Sequence, residues 1–196
     1  MLKIIFASRN GGKIKEVKDI LSGTDLEIVS LLDLNDYENI IEDGMTFEEN
    51  AVIKASHVFN KYKMPVIADD SGLVVDQLNG GPGVFSARYS GPNATDESNN
   101  IKLIGELKQL PEPHYAKFIC SAVFYNGEKY ITAEGEEGGI ITMNAKGVNG
   151  FGYDPLFIPE NYSITMAELD PKEKNKISHR AKAFNELKEQ LTFLLS

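Results

Sequence analysis

A chain of 196 residues with 42 % hydrophobic and 25 % charged side chains has the composition of an ordinary soluble globular protein, which speaks against a disordered or fibrous one. Its 29 acidic residues outnumber the 20 basic ones, and a net charge of −9 opposes a long polyanion such as duplex nucleic acid but leaves room for a small one held by a local cluster of cations. The lone cysteine, Cys120, excludes an intramolecular disulfide and a cysteine-rich metal site; the apolar run Ile4 to Ala7 is too short for a signal-peptide core, no later run spans a bilayer, and a cytoplasmic setting with no membrane partner is expected.

In chain order, Lys3 to Ala7 reads as a short strand buried on both faces, broken by Asn10-Gly11-Gly12. A helix follows from Lys13 to Leu21, with Ile14, Val17, Ile20 and Leu21 at helical spacing and Gly23 as a stop. Thr46-Phe47-Glu48-Glu49 carries the capping-box pattern and opens a second helix with the apolar stripe Phe47, Ala51, Ala55, Val58 and Phe59. Pro65 to Ala68 is a buried strand expected to end at Asp69-Asp70-Ser71-Gly72, with extended structure resuming at Leu73-Val74-Val75. Beyond the glycine- and proline-rich stretch Gly80 to Asn93, a third helix is expected from Thr95 to Leu110. Lys117 to Tyr125 and Lys129 to Ala133 flank Asn126-Gly127, a strong hairpin signal, so the sheet is mixed. A second glycine-rich loop spans Gly147 to Asp154, and the last helix starts near Ala181 and carries Phe184, Leu187, Leu191 and Leu194.

Four segments have residue types suited to chemistry. Ser8-Arg9-Asn10-Gly11-Gly12-Lys13 lies between a strand and a helix, where backbone amides, the positive helix terminus and a lysine can cradle phosphates; it departs from a Walker loop at Ala7 and Ile14. In Asp69-Asp70 successive side chains point to opposite faces, so one carboxylate can bind magnesium or take a proton from water while the other caps a turn. Gly150-Phe151-Gly152-Tyr153-Asp154-Pro155 offers rings to stack on a base and a carboxylate to accept from a ring N–H, or else rings that simply cover the core. Lys172 to Arg180 concentrates five Lys, His or Arg residues among nine, either a solvated face or part of an anion site. Together they have the parts that magnesium-dependent nucleotide hydrolysis needs.

These residues also resemble a family end to end. Ser8 to Lys13, Thr46-Phe47-Glu48-Glu49-Asn50-Ala51 with Lys54, Ile67 to Leu73, Pro82 to Tyr89, Phe151 to Pro155 and Ile177-Ser178-His179-Arg180 resemble the inosine and xanthosine triphosphate pyrophosphatases, the Ham1-like non-standard purine nucleoside triphosphatases. The resemblance implies hydrolysis of ITP, dITP and XTP to the monophosphate and pyrophosphate. It implies one domain over residues 1–196 with two interleaved lobes around a central cleft, an α/β fold with a mixed, twisted sheet and flanking helices, a Mg2+ cofactor and a homodimer. By motif, Ser8, Arg9, Asn10, Gly11, Gly12, Lys13 and Lys54 would hold the triphosphate. Asp70 would be the proton acceptor and a metal ligand, with Ser71 touching the substrate beside it. Phe151, Gly152, Tyr153, Asp154, Lys174, His179 and Arg180 would surround the base and sugar. Relatives often carry a metal-linked glutamate where this chain has Ile41; Glu42, one place later, is the candidate substitute, although a one-residue shift on an extended segment reverses side-chain direction. The competing readings are a nucleotide sensor without turnover and an aspartyl-phosphate phosphatase, which would release orthophosphate.

Overall fold

The computed structural model describes residues 2–195, with side chains from Leu2 to Leu191. Six strands form one sheet in the order β2-β1-β3-β4-β5-β6: β1 Leu2–Phe6, β2 Leu26–Ser30, β3 Val66–Val75, β4 His114–Tyr125, β5 Tyr130–Ile141 and β6 Phe157–Pro159. β1 pairs in parallel with β2 and β3, while β5 and β6 are antiparallel, so the sheet is mixed. The helices are α1 Gly11–Ile20, α2 Phe47–Tyr62, α3 Asp96–Leu107, α4 Pro171–Ile177 and α5 His179–Leu195, with short 3-10 helices at Asp76–Leu78 and Gly83–Arg88.

The chain falls into two compact units, one of residues 1–70, 120–135 and 179–196, the other of residues 71–119 and 136–178. In the first, strand alternation sends side chains to two cores. Ile4, Phe6 and Ile67 pack with Ile14 and Val17 of α1 and Phe184, Leu187 and Leu191 of α5. Ile5, Ala7, Val66 and Ala68 pack with Ala51, Ala55 and Val58 of α2. The second unit has one core, in which Leu73, Val75, Leu103, Leu107, Phe118, Leu156 and Phe157 meet.

Local signals placed several elements well. Thr46 accepts from the Glu49 amide and Glu49 reciprocates, completing the capping box of α2. The turn joining β4 and β5 is built by Asn126, whose Oδ1 accepts from the amides of Glu128 and Lys129 at 3.0 and 2.9 Å, with Gly127 at φ +96°.

Other expectations need correction. β3 runs unbroken through Asp69-Asp70-Ser71-Gly72, so the acidic pair sits inside a strand and not at its end. Each of the two carboxylates finds its partners on other elements, as described below, in place of an Asx turn. β5 extends to Ile141, eight residues past Ala133, because its glycines let other backbone approach. A Cβ at Gly135 would stand 2.2 Å from the carbonyl oxygen of His179, and one at Gly139 would stand 2.2 Å from that of Ile158. α1 begins at Gly11 because Asn10 caps it, its Oδ1 accepting from the Lys13 amide at 3.0 Å. α3 stops at Leu107, short of Leu110. The last helix, α5, starts at His179 and not near Ala181, so the basic segment forms α4, capped by Asp170, and the first turn of α5. The side chain of Leu194 lies outside the described residues.

Candidate active site

Alternation along β3 turns Asp69 and Asp70 to opposite faces, and each meets a different helix set. On the α2 face, Asn50 and Lys54 stand one helical turn apart and converge on Asp70. Asn50 Nδ2 donates to Asp70 Oδ2 at 3.1 Å, and Lys54 Nζ lies 3.4 Å from Asp70 Oδ1. The same ammonium binds Glu42 Oε2 at 2.7 Å. Ile41 faces solvent, 72 % exposed, while Glu42 beside it turns its carboxylate onto Lys54. Asn50 is oriented in turn by the Gly44 amide, which donates to its Oδ1 at 2.9 Å. Burial works against the charge on Lys54, but the carboxylates of Asp70, Glu42 and Asp69 outweigh it and raise the pKa of the amine, which stays protonated.

On the other face Asp69 is fully buried and is not a turn cap. Its Oδ2 accepts from Lys13 Nζ at 3.0 Å and from Arg180 Nε at 3.2 Å, and the Cys120 thiol lies 3.8 Å away. Arg180 Nη1 also binds Glu16 Oε2 at 2.6 Å. Burial alone would raise the Asp69 pKa; Lys13, Arg180 and Lys54 reverse this and hold it well below the usual carboxylate range. Burial and the neighbouring Asp69 charge push the Cys120 thiol up, so it is inert as a nucleophile. Arg180, expected at the base and sugar, thus has its guanidinium committed to a buried ion-pair network of the first unit, 1 % exposed. His179 is buried beside it at the start of α5.

The strand-to-helix loop is held by its own side chains. Ser8 Oγ accepts from the Asn10 amide at 3.2 Å, and Arg9 Nη1 donates to the Glu38 carbonyl at 2.5 Å. Asn10 and Gly11 are exposed at the N-terminus of α1, Gly12 is half-buried, and Lys13 points back to Asp69. Ser71, half-buried, is the first residue of the second unit.

In that unit, the loop from Gly150 to Asp154 is a folded device of its own. Asp154 is buried, and its Oδ2 accepts from the Phe151 amide at 2.8 Å and from Lys174 Nζ at 2.5 Å. The Lys174 ammonium also stands 4.9 Å from the centroid of the Phe151 ring. Tyr153, expected at the base, points instead into the core, 4 % exposed, where its hydroxyl donates to the Ser86 carbonyl at 2.9 Å. Its ring adds to an apolar cluster that needs the volume, and Ser86 supplies the one acceptor the hydroxyl requires. Phe151 and Gly152 are half-buried.

The donor set fits magnesium. Asp70 and Glu42 both reach one cation, the Lys54 ammonium, with hard oxygen donors, and Mg2+ takes one or two carboxylates and completes its shell with water and phosphate. On the Asp70 face two carboxylates, Asp70 and Glu42, stand against one ammonium, Lys54. Among the described residues no group of three or more His, Cys, Asp or Glu side chains is placed to hold a metal ion. Sequence reasoning missed Asn50 and Glu16. The spacing of Asn50 from Lys54 on a well-marked helix could have shown the first; nothing local marks the second.

The Ham1 family matches residues 4–190, and the chain belongs to it. Over 193 residues it is 49 % identical to a Geobacter sulfurreducens protein named dITP/XTP pyrophosphatase, covering 97 % of each chain. A Haemophilus influenzae protein of the same name is 47 % identical, with 96 % of this chain and 98 % of that one covered. Among solved structures, a HAM1 protein from Coxiella burnetii matches with a TM-score of 0.88 at 39 % identity, covering 98 % of this chain and 99 % of that one. The Staphylococcus aureus Ham1 protein matches with a TM-score of 0.85 at 39 % identity, covering 97 % and 98 %.

Proposed function

We propose that this protein hydrolyses non-standard purine nucleoside triphosphates, dITP, XTP and ITP, to the monophosphate and pyrophosphate, with Mg2+ as cofactor. The observation that carries the reading is the Asp70–Lys54–Glu42 group, an acidic pair around a buried ammonium, in a chain nearly half identical over its length to proteins named dITP/XTP pyrophosphatase.

Asp70 and Glu42 would hold the magnesium, which when bound supplies charge neutralisation at the polyphosphate. Asp70 orients a water toward the α-phosphorus and takes its proton as the new P–O bond forms and the α–β anhydride bond breaks, releasing pyrophosphate. Lys13, Lys54 and the amides between Ser8 and Lys13 bind the polyphosphate and stabilise the charge that develops on the leaving group. Asn50 holds Asp70 in orientation. Phe151 stacks on the base, and Lys174 with Asp154 supplies polar groups near it. A base with a 6-keto group accepts a hydrogen bond where adenine's 6-amino group donates, so donors aimed at that position are left unpaired by adenine; sites of that kind discriminate by about 10⁴.

The single, buried Cys120 is in keeping with a cytoplasmic setting, the partner is the small-molecule nucleotide, and no helix among the described residues is long and apolar enough to cross a membrane. The family resemblance supports a homodimer, for which light scattering is expected to give twice the chain mass. The deciding assay incubates the protein with ITP, XTP, dITP, GTP and ATP plus Mg2+ and identifies the products. Monophosphate and pyrophosphate from the first three are expected; equal rates for ATP and ITP, orthophosphate as product, or binding without turnover would each overturn the reading.

A further inference from the structure

The loop that presents Phe151 is held from within by Asp154 and from outside by α3. Asp96 and Asn100 stand four residues apart, on one face of the first turns of α3. Asp96 Oδ2 accepts from the Gly152 amide at 2.7 Å, and Asn100 Nδ2 donates to the Gly152 carbonyl at 3.0 Å. Both sides of one residue are therefore gripped by one rigid helix. Asp154 fixes the peptide on the other side of Phe151, through the Phe151 amide at 2.8 Å. Tyr153 is anchored in the core through Ser86, and Asn99, between the two grips, donates to the same Ser86 carbonyl at 3.2 Å. The peptides on both sides of Phe151 are thus tied, which leaves its ring little freedom beyond side-chain rotation. Gly152 sits at φ +62°, a left-handed conformation open to glycine without steric cost, and the two grips select it from the others glycine could adopt.

We propose that Asp96 and Asn100 are positioning residues for base recognition: by clamping Gly152 they set the Phe151 ring where it stacks on the purine. This rests on the reading of Phe151 as the base-stacking residue. Neither touches the substrate; each acts through the loop. A ring fixed before the substrate arrives spends no binding energy on ordering the loop, so loss of the clamp should appear in affinity for the base-bearing part of the substrate and not at the phosphates.

The test measures KM and kcat for ITP, and inhibition constants for IMP and for pyrophosphate, in Asp96→Ala, Asn100→Ala, Asp96→Asn and Phe151→Ala. Losing the charge-assisted bond in Asp96→Ala is expected to raise KM for ITP and the inhibition constant of IMP about tenfold, and Asn100→Ala about threefold, with the pyrophosphate constant unmoved. Asp96→Asn, which keeps an acceptor for the Gly152 amide, is expected to recover most of the loss. Unchanged IMP inhibition in both alanine variants overturns the proposal, as does an equal loss in Asp96→Asn, which would assign Asp96 to the helix dipole. A parallel shift in pyrophosphate inhibition also overturns it, since a general loss of structure moves both ligands. Should Asp96→Ala not fold, Asn100→Ala decides alone. If Phe151→Ala leaves IMP inhibition unchanged, the stacking assignment fails and the proposal with it; if Phe151→Ala weakens IMP and the clamp variants do not, only the clamp fails.

Discussion

Asp69→Ala separates the work of two adjacent aspartates. In the folded protein the Asp69 carboxylate is 1 % exposed and ties Lys13 and Arg180 through one oxygen. Removing it leaves Lys13 free to swing toward water, because its side chain is already 15 % exposed, so little of the cost falls there. Arg180, 1 % exposed, has no such escape and keeps Glu16 at 2.6 Å as its charged partner. Breaking a buried ion pair from one side costs about 3–5 kcal/mol. Retention of Glu16 and the relieved desolvation of Asp69 itself place this case near the lower end, about 3 kcal/mol. For a chain of this length that corresponds to a fall in Tm of roughly 6–12 °C. Urea unfolding at pH 7, followed by circular dichroism, measures the change directly. Asp70→Asn is expected to do the reverse: Lys54 keeps Glu42, stability moves by under about 1 kcal/mol, and ITP turnover falls by about 10²-fold or more. A stability loss below about 1 kcal/mol in Asp69→Ala, or comparable losses in the two variants, would refute this division of labour.

Three further outcomes follow from the same geometry. Glu42→Gln removes one of the two acidic donors around Lys54, and the Mg2+ concentration for half-maximal ITP hydrolysis is expected to rise several-fold with little change in saturated turnover; an unchanged magnesium titration would remove Glu42 from the metal site. Asp36 is hydrogen-bonded first by Lys61, against the pull of burial, with help from the Glu38 amide and Tyr62, and its pKa falls from 3.8 to about 2. Its stabilising contribution is therefore complete above about pH 4 and lost as pH falls through about 2, so Asp36→Asn should flatten the acid slope of the urea midpoint in that window; parallel wild-type and variant profiles would argue otherwise. Tyr153→Phe, which deletes the donor to the Ser86 carbonyl inside the core, is expected to cost about 1–2 kcal/mol while KM for ITP stays within twofold; a selective rise in KM without a stability loss would return Tyr153 to the base site.

What was legible in the sequence was what neighbouring residues decide among themselves. The capping box at Thr46 and the turn at Asn126-Gly127 are complete within four residues, and the structure builds both as read. β2, only five residues long, carried no turn chemistry of its own and owes its place to parallel pairing with β1 along its whole length. β5 was cut short because Gly135, Gly138 and Gly139 argue against a strand locally, and only the backbone of other elements lying close to Gly135 and Gly139 shows why they are there.

The site follows the same rule with higher stakes. The Asp69-Asp70 pair could be singled out by residue type and context, the choice of Asp70 and the mark on Lys54 came from the family motifs, and the period-two argument that one aspartate faces a site while its neighbour faces elsewhere holds in β3. What that argument lacked was the neighbour's partner. Asp69 looked like a turn cap because aspartates before Ser-Gly usually are, yet its partner Arg180 lies 111 residues away, a pairing no local pattern encodes. The consequence reaches beyond one residue. A buried carboxylate that draws Lys13 from α1 and Arg180 from α5 onto one strand face fixes both helices relative to the strand that carries Asp70. The base that must meet a water with sub-ångström tolerance is thus held from behind by the buried Asp69–Arg180–Glu16 network, and it is this support, more than the Asp-Asp-Ser-Gly signature itself, that makes a strand interior a workable place for a catalytic carboxylate.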